Sequence, residues 1–273
     1  AGRRSYFGEF MSKIPESDRH LEVMINCKTY PAVSKKYLEA VRTGGTAADG
    51  SFARLYPIPY RFLEEQEQYE RWDIVRVSVY RDTKDPRPES WHLDVGAPIE
   101  VIGRAKSEET KWSWMRNGVF ESTAEMESKG LTNGLVEIEP GEIYWEPETK
   151  RWTPSQLDVL TQGQLFLDKS RMSELAERVP WQFKLRFTEK HTGEVFDRKL
   201  LAWSYYQGYR RFYRETGDQQ AALQMVRDRI YQSIRSEDRT VFAILGTHSR
   251  FKHWMISALY HVPNRVCNHP MLF

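Results

Sequence analysis

Alternating apolar and polar positions predict strands in the first third of the chain. Residues 21–26 (LEVMIN) and 72–80 (WDIVRVSVY) have this pattern, and the second places Val75, Val77 and Val79 on one face. A third short strand is predicted at 98–104 (PIEVIGR). These segments predict a β-rich N-terminal part.

Two segments between these strands have apolar residues at helical spacing. Residues 34–42 are predicted as a short helix with Ser34 as its N-cap, followed by a Gly-rich loop, and residues 61–69 as a second helix. Pro57 and Pro59 hold the run between them in an extended conformation. This stiff aromatic run has two interpretations: it forms a recognition surface, or it is the packed end of a strand.

The last third of the chain has a more regular pattern. A hairpin is predicted to begin at 182–188 (QFKLRFT), where Phe183, Leu185 and Phe187 share a face. The segments that follow are a helix at 197–214 ended by Gly217, a second helix capped by Asp218, and strands at 241–246 and 254–260.

These elements predict an α+β fold with mixed or antiparallel sheets and short helices. We expect residues 1–10 to be an added tail, because Met11 looks like a natural start. The predicted units are an N-terminal β-rich α+β domain (11–104), an acidic connecting subdomain (105–179) with a strand at 135–138, and a basic C-terminal α+β region (180–273).

Composition narrows the class of protein. The 273 residues are 40% hydrophobic and 29% charged, no apolar run is long enough to span a bilayer, and no secretory signal is evident. Cys27 and Cys267 match no metal-ligand spacing and fit a reducing cytoplasm. We therefore expect a soluble cytoplasmic protein that does not act at a membrane.

Charge is distributed unevenly although the net charge is only +2. Residues 108–174 contain seven Lys/Arg against thirteen Asp/Glu, whereas residues 181–254 contain fourteen against eight. A basic segment rich in Trp and Tyr suits phosphate binding with base stacking. A solvated helix face is the alternative explanation of the same excess.

Several reaction classes lack their signatures. The chain has no GxxxxGK[ST] loop, GxGxxG, GxSxG or HExxH motif, and no HxE with PCxxC pair. The sequence therefore gives no sign of nucleotide hydrolysis, dinucleotide chemistry or a zinc centre, and we expect no cofactor.

Carboxylates beside arginines are the remaining candidates for chemistry. Asp85 and Glu89 lie in a proline-braced loop (KDPRPES), with Asp73 at the start of the preceding strand as a reserve. A carboxylate there would stabilise positive charge on a sugar or position a water, as in N-glycosidic hydrolysis. Structural ion pairs are the alternative, and Glu39 is a weaker candidate.

The candidate nucleic-acid-binding residues are cationic or aromatic. His248, Arg250 and Lys252 form a short polar loop that would contact phosphates, and Trp254 would stack against or wedge beside a base unless it belongs to the core. The remaining candidates are Arg54, Tyr56, Arg61, Arg87, Arg210 and Arg211.

A short peptide motif suggests one further partner. Gln162, Leu165 and Phe166 fit the QxxLF pattern of peptides that dock onto bacterial sliding clamps. Such a short pattern also arises by chance, and these apolar side chains would equally anchor a linker to the core.

The motifs KTYPxxSxKYxExVxTxGxxxxGxxxRLYPIPYR, WDxVxV, KDPRPES and LGTxxxFxxWMI carry a family resemblance. The chain resembles small bacterial phage-defence proteins, identified as DNA glycosylases that excise glucosylated hydroxymethylcytosine. The resemblance implies base flipping and abasic-site formation on phage DNA without a metal or nucleotide cofactor. The alternatives are a non-catalytic reader of modified or single-stranded nucleic acid, and a magnesium nuclease that uses Asp73, Asp85 and Glu89.

Overall fold

The fold combines two β-sheets with short helices. The computed structural model describes residues 19–34, 38–81, 85–149, 153–164, 178–235, 238–248 and 253–268. The described strands of the first sheet are β1 (Arg19–Lys28), β2 (Ala32–Ser34), β3 (Leu38–Ala47), β4 (Phe52–Ile58), β5 (Asp73–Tyr80), β6 (Ser90–Leu93) and β7 (Glu100–Arg104). Those of the second sheet are β8 (Val119–Phe120), β9 (Asn133–Pro147), β10 (Trp181–Glu189), β11 (Val195–Lys199), β12 (Arg239–Thr247) and β13 (Trp254–Pro263).

The helices are mostly short. The described α-helices are α1 (Glu108–Met115), α2 (Thr123–Ser128), α3 (Pro154–Gln164), α4 (Trp203–Thr216), α5 (Gln219–Ile234) and α6 (Asn264–Cys267). Single 3-10 turns occur at Tyr60–Phe62, Glu65–Glu67 and Arg116–Gly118. This combination confirms the predicted α+β class. No helix in the described part of the chain is both long and apolar enough to cross a membrane.

The first sheet closes into a five-stranded barrel. Its strand order is β1-β3-β4-β6-β5-β7, and β1 also pairs with β5, which joins the two sides. The β4–β6 pair is parallel, because the chain crosses the barrel through β5 before it returns to β6. Alternating side chains such as Val23, Leu55 and Val77 fill the interior.

The second sheet has the order β11-β10-β9-β12-β13 and curls so that its outer strands meet. Leu200, just after β11, forms a parallel bridge with Ile256 in β13. Helices α4 and α5 pack on this sheet, and Asp218 caps α5 while Gly217 ends α4 with a φ of 69°, as expected from the sequence.

The two sheets share a buried seam. Thr29, after β1, bridges to Ala202 before α4, and the Arg71 guanidinium donates to the Leu259 carbonyl (2.9 Å). One hydrophobic cluster includes Met24 from the barrel and Tyr260 from β13. The barrel and the second sheet therefore bury apolar surface against each other.

Several predicted elements are confirmed, and three are wrong in type or extent. The strands β1, β5 and β7, the β10–β11 hairpin and the strands β12 and β13 lie where the alternation placed them. The predicted helix at 34–42 is wrong: its described residues belong to β2 and β3, because β3 pairs with β1, β2 and β4 at once. The predicted helix at 61–69 is reduced to two 3-10 turns.

The predicted helix at 197–214 is wrong in its first turns, because residues 197–199 continue β11 and α4 begins only at Trp203. The strand predicted at 135–138 lies near the start of the much longer β9, which pairs with both β10 and β12. The domain boundaries at 104 and 179 remain predictions. Residues 1–10, the Leu165 and Phe166 of the clamp motif, and Arg250 and Lys252 lie outside the described residues.

Candidate functional site

A large cavity opens between the barrel and the second sheet. Its volume is about 1050 Å³, at the upper end of the roughly 300–1,000 Å³ usual for small-molecule sites. The lining side chains include six Arg or Lys and three Asp or Glu. The cationic ones are Arg42, Arg54, Arg87, Arg178, Arg198 and Lys199, and the acidic ones are Glu39, Glu148 and Asp197. The cavity therefore favours an anionic ligand.

Arg54 crosses from the barrel to the second sheet. Its guanidinium donates to the carbonyls of Thr247 (3.0 Å) and Thr132 (3.2 Å) and forms an ion pair with Glu89 (3.0 Å). Gly246 leaves room for this approach, since a Cβ there would lie 3.4 Å from Arg54 Nη2. Burial, followed by the charge of Arg87, lowers the pKa of the Arg54 guanidinium.

Arg87 lies beside Arg54 at the cavity wall. Asp85 holds its guanidinium with two hydrogen bonds, from Nε (2.8 Å) and Nη2 (2.5 Å), while Nη1 donates to the Thr247 carbonyl (2.8 Å). The proline-braced loop and the end of β12, which the sequence predicts as two halves of one site, therefore meet at Thr247.

The three predicted catalytic carboxylates are engaged in ion pairs and do not line the cavity. Asp85 pairs with Arg87, Glu89 pairs with Arg54 and accepts from the Thr132 hydroxyl. Asp73 pairs with Arg104 (2.7 Å), which belongs to the edge strand β7. Asp85 and Glu89 thus orient the two guanidinium groups, and the arginines present the polar surface to the cavity.

Electrostatics fix the protonation state of Asp85. Partial burial acts to raise its pKa, but the hydrogen bonds and charge of Arg87 outweigh burial and lower the pKa to about 2. Asp85 is therefore a carboxylate at neutral pH, which suits an orienting role and does not suit a general acid.

The other predicted binding residues lie in different environments. Arg42 covers the Tyr56 ring (4.7 Å from its centre), and Arg61 pairs with Glu39 (3.5 Å) at the cavity wall. Trp254 lines the cavity but is only 3% exposed, and its indole donates to Glu127 (2.7 Å), so most of its side chain packs in the core.

The histidine and helix candidates divide between the cavity and the outer helix layer. His248 lines the cavity beside His253, and the two rings stack with centres 5.9 Å apart. Arg210 is buried in α4 near Gln207, and Arg211 forms an ion pair with Glu215 on the same helix. Neither helix arginine lines the cavity.

The residues predicted from the sequence do not include the second-sheet wall of the cavity. Arg198 and Lys199 end β11, and Arg178 lies nearby, since Glu148 pairs with both Lys199 (2.9 Å) and Arg178 (3.9 Å). The signal available in the sequence is the polar DRK run at 197–199, which the prediction assigns to the start of the helix at 197–214. Its proximity to residues 54 and 87 depends on sheet closure, which the spacing did not reveal.

Aromatic rings complete the wall, and several of its polar atoms lack partners. Tyr30, Trp181 and Tyr206 line the cavity, and Tyr30 packs on Tyr206 with ring centres 5.3 Å apart. Among the described residues, Arg54 Nε, Asn133 Oδ1, Trp181 Nε1 and Asp197 Oδ1 are buried cavity-wall atoms without a hydrogen-bond partner. Such atoms are costly unless water or a ligand satisfies them.

Lys28 occupies a separate aromatic enclosure on the other side of β1. Its ammonium lies 4.0 Å from the centre of the Tyr60 ring and 5.8 Å from that of Trp203, and it donates to the Tyr69 carbonyl (2.8 Å). Burial lowers the pKa of Lys28 to about 8, although Glu70 and Asp73 act to raise it.

Metal ligation receives no support in the part of the chain that the structure describes. There, no group of three or more His, Cys, Asp or Glu side chains lies close enough together to hold an ion. The nuclease hypothesis requires Asp73, Asp85 and Glu89 to surround one metal ion. These three carboxylates do not form such a group.

Comparison with known families divides the chain at the same place as its two sheets. Residues 119–273, more than half of the chain, match the family described as Domain of unknown function (DUF8757), and the chain belongs to that family. Residues 19–121 match a second family, Domain of unknown function (DUF8758). A comparison with curated proteins found no match.

Proposed function

We propose that this protein binds DNA and takes one extruded nucleotide into the cavity between its sheets. The observation that supports the proposal is the meeting of Arg54 and Arg87 at Thr247, on the wall of a cationic cavity that also presents Tyr30 and Trp181. Guanidinium groups bind phosphate, and aromatic faces accept an unstacked base.

The reaction that we propose is excision of a modified, glucosylated cytosine from phage DNA by a cytoplasmic defence glycosylase. The chain resembles that class, and its described cysteines, Cys27 and Cys267, are both free thiols, as a reducing compartment would leave them. Glu39, which lines the cavity beside Arg61, is better placed than Asp85 or Glu89 to stabilise an oxocarbenium-like sugar.

The test compares modified with unmodified DNA. We expect the protein to create alkali-labile sites only in DNA that carries glucosylated hydroxymethylcytosine. Glu39→Gln should retain DNA binding and lose at least about 100-fold in excision rate. The matched control is Glu142→Gln, an exposed carboxylate of β9 paired with Arg186, which should match the wild type. Binding without alkali-labile sites would remove the enzymatic proposal.

A second candidate function is a non-catalytic reader of modified or single-stranded nucleic acid. The observation that favours it is that Asp73, Asp85 and Glu89 are all engaged in ion pairs and do not line the cavity. A reader predicts that Glu39→Gln still protects cells against phage, whereas a glycosylase predicts loss of protection. A plaque assay with both Glu39→Gln and Glu142→Gln separates the two.

A sliding clamp remains a proposed partner through Gln162, Leu165 and Phe166. Gln162 lies in the last turn of α3. Pull-down of a bacterial clamp by the wild type, lost on Leu165→Ala with Phe166→Ala, would support this partner.

A further inference from the structure

The cations of the cavity come from two separate parts of the fold. We call Arg42, Arg54 and Arg87 the barrel cluster, because β3, β4 and the loop before β6 carry them. We call Arg178, Arg198 and Lys199 the edge cluster, because they surround the end of β11. Each cluster lines the same cavity.

Strand register gives the separation of the two clusters. Ile256 of β13 pairs with Leu245 of β12 on one side and bridges to Leu200 on the other. Two residues earlier in β13, Trp254 pairs with Thr247. Continuing the parallel Leu200–Ile256 bridge by two residues would place Arg198 on the other side of Trp254. By this extrapolation the backbones of Arg198 and Thr247 lie two strand spacings apart, about 10 Å.

The edge cluster carries an excess of positive charge. Glu148 is shared between Lys199 and Arg178. The Arg198 guanidinium donates to the main-chain carbonyl of Asp197 (3.1 Å) and lies 4.8 Å from the centre of the Phe196 ring. A second anion would therefore find donors here that are independent of Arg54 and Arg87.

The floor between the clusters suits an uncharged, planar group. Met255 and Ser257 line it from β13, and Tyr30, Trp181 and Tyr206 line the adjoining wall. A nucleotide inside a strand has a matching layout: its uncharged deoxyribose lies between a 5′ and a 3′ phosphate, and the planar base projects from that sugar. A terminal or free nucleotide carries a phosphate on one side only.

From this layout we infer that the cavity binds an internal nucleotide by both of its flanking phosphates, one at the barrel cluster and one at the edge cluster. The inference rests on the proposed function and specifies its substrate class. The preferred substrate is a continuous strand with the extruded nucleotide in its interior, and mononucleotides and strand ends are poor ligands.

Calorimetric titration of 2′-deoxycytidine 3′,5′-bisphosphate, compared with the 3′- and 5′-monophosphates, tests the inference. We expect the bisphosphate to bind at least tenfold more tightly than either monophosphate. Arg198→Ala should weaken the binding of the bisphosphate and of one monophosphate about tenfold. The affinity for the other monophosphate should be unchanged. Arg87→Ala, or Arg42→Ala if the first variant unfolds, should affect the other monophosphate. Arg227→Ala, a half-exposed arginine of α5 that does not line the cavity, is the matched control.

The outcomes separate the inference from the proposed function. If oligonucleotides bind but the bisphosphate binds no more tightly than the monophosphates, the two-phosphate arrangement is wrong. The proposal of DNA binding is then retained. The same conclusion follows if Arg198→Ala weakens both monophosphates equally. If neither oligonucleotides nor nucleotides bind, both proposals fail.

Discussion

At the scale of single residues, the chemistry of this site depends on pairs in which a carboxylate orients an arginine. Asp85 and Glu89 stand behind Arg87 and Arg54, and each guanidinium has at least one N–H left to contact a main-chain carbonyl across the seam. Substituting either carboxylate should therefore act mainly on the position of its partner guanidinium group. Its direct effect on a reaction step should be smaller.

The first prediction concerns acid stability. The folded-state pKa of Asp85 is about 2, below its ordinary value, so its ion pair stabilises the fold above pH 4 and this contribution is lost as pH falls from about 4 to 2. Asp85→Asn should lower the free energy of unfolding at pH 7 and make the loss between pH 4 and 2 shallower. Urea unfolding at several pH values measures both, with the exposed Glu142→Gln as control. Parallel pH profiles for Asp85→Asn and the wild type would contradict it.

The second prediction concerns the aromatic enclosure of Lys28. Its folded-state pKa of about 8 lies below the ordinary lysine value, so the unfolded chain binds more protons and stability rises with pH above about 8. Between pH 8 and 10, the free energy of unfolding of the wild type should rise relative to that of Lys28→Met by up to roughly 2–3 kcal/mol. Lys129→Met, an exposed lysine paired with Glu125, should show no such shift.

The residue-level predictions from sequence found only part of the site. Arg54, Arg87 and His248 were recognisable because basic residues stand beside prolines, aromatics or a polar loop in the sequence. Trp181 and Arg198 were not, because only the closure of β11 against β13 brings them to the same cavity. The acids were assigned to catalysis because sequence distance could not show which arginines they would pair with.

At the scale of elements, strands with one buried face are predictable from the sequence, whereas β3, which is buried on both faces, is not. β5 and β10 alternate along their whole lengths, and alternation alone located them. β3 is buried on both faces at most positions and so lacks alternation, and its Gly44 and Gly45 read as a loop.

The third prediction follows from those glycines. A Cβ on Gly45 would lie 2.6 Å from the Met24 carbonyl and 2.2 Å from a Val23 methyl, and neither the paired backbone of β1 nor its core side chain can move freely. Gly45→Ala should destabilise the fold by about 1–3 kcal/mol in urea unfolding. Gly103→Ala in β7 is the control, because its nearest neighbour is 4.0 Å away. Equal stability of the two variants would show that the barrel tolerates a wider β1–β3 spacing.

At the scale of the whole molecule, two matched families share one core. The cluster around Met24, Trp112 and Tyr260 draws side chains from both sides of residue 119. Separating the two parts would expose this apolar surface to water. Neither part alone buries it.

The fourth prediction follows from the shared core. Fragments 19–118 and 119–268 expressed separately should unfold without a cooperative transition, and co-expression should restore one complex with the thermal transition of the intact chain. Calorimetry and size-exclusion chromatography measure this outcome. A cooperative transition in either fragment alone would show that its own sheet is a sufficient core.

The carbonyl of Thr247 accepts hydrogen bonds from both Arg54 and Arg87, so these guanidinium groups fasten the seam when the cavity is empty. On the proposed function, a phosphate that takes the N–H groups now bound to that carbonyl would break these hydrogen bonds. Ligand binding would then loosen the contact between the two sheets, and a more tightly closed protein would bind its ligand less strongly.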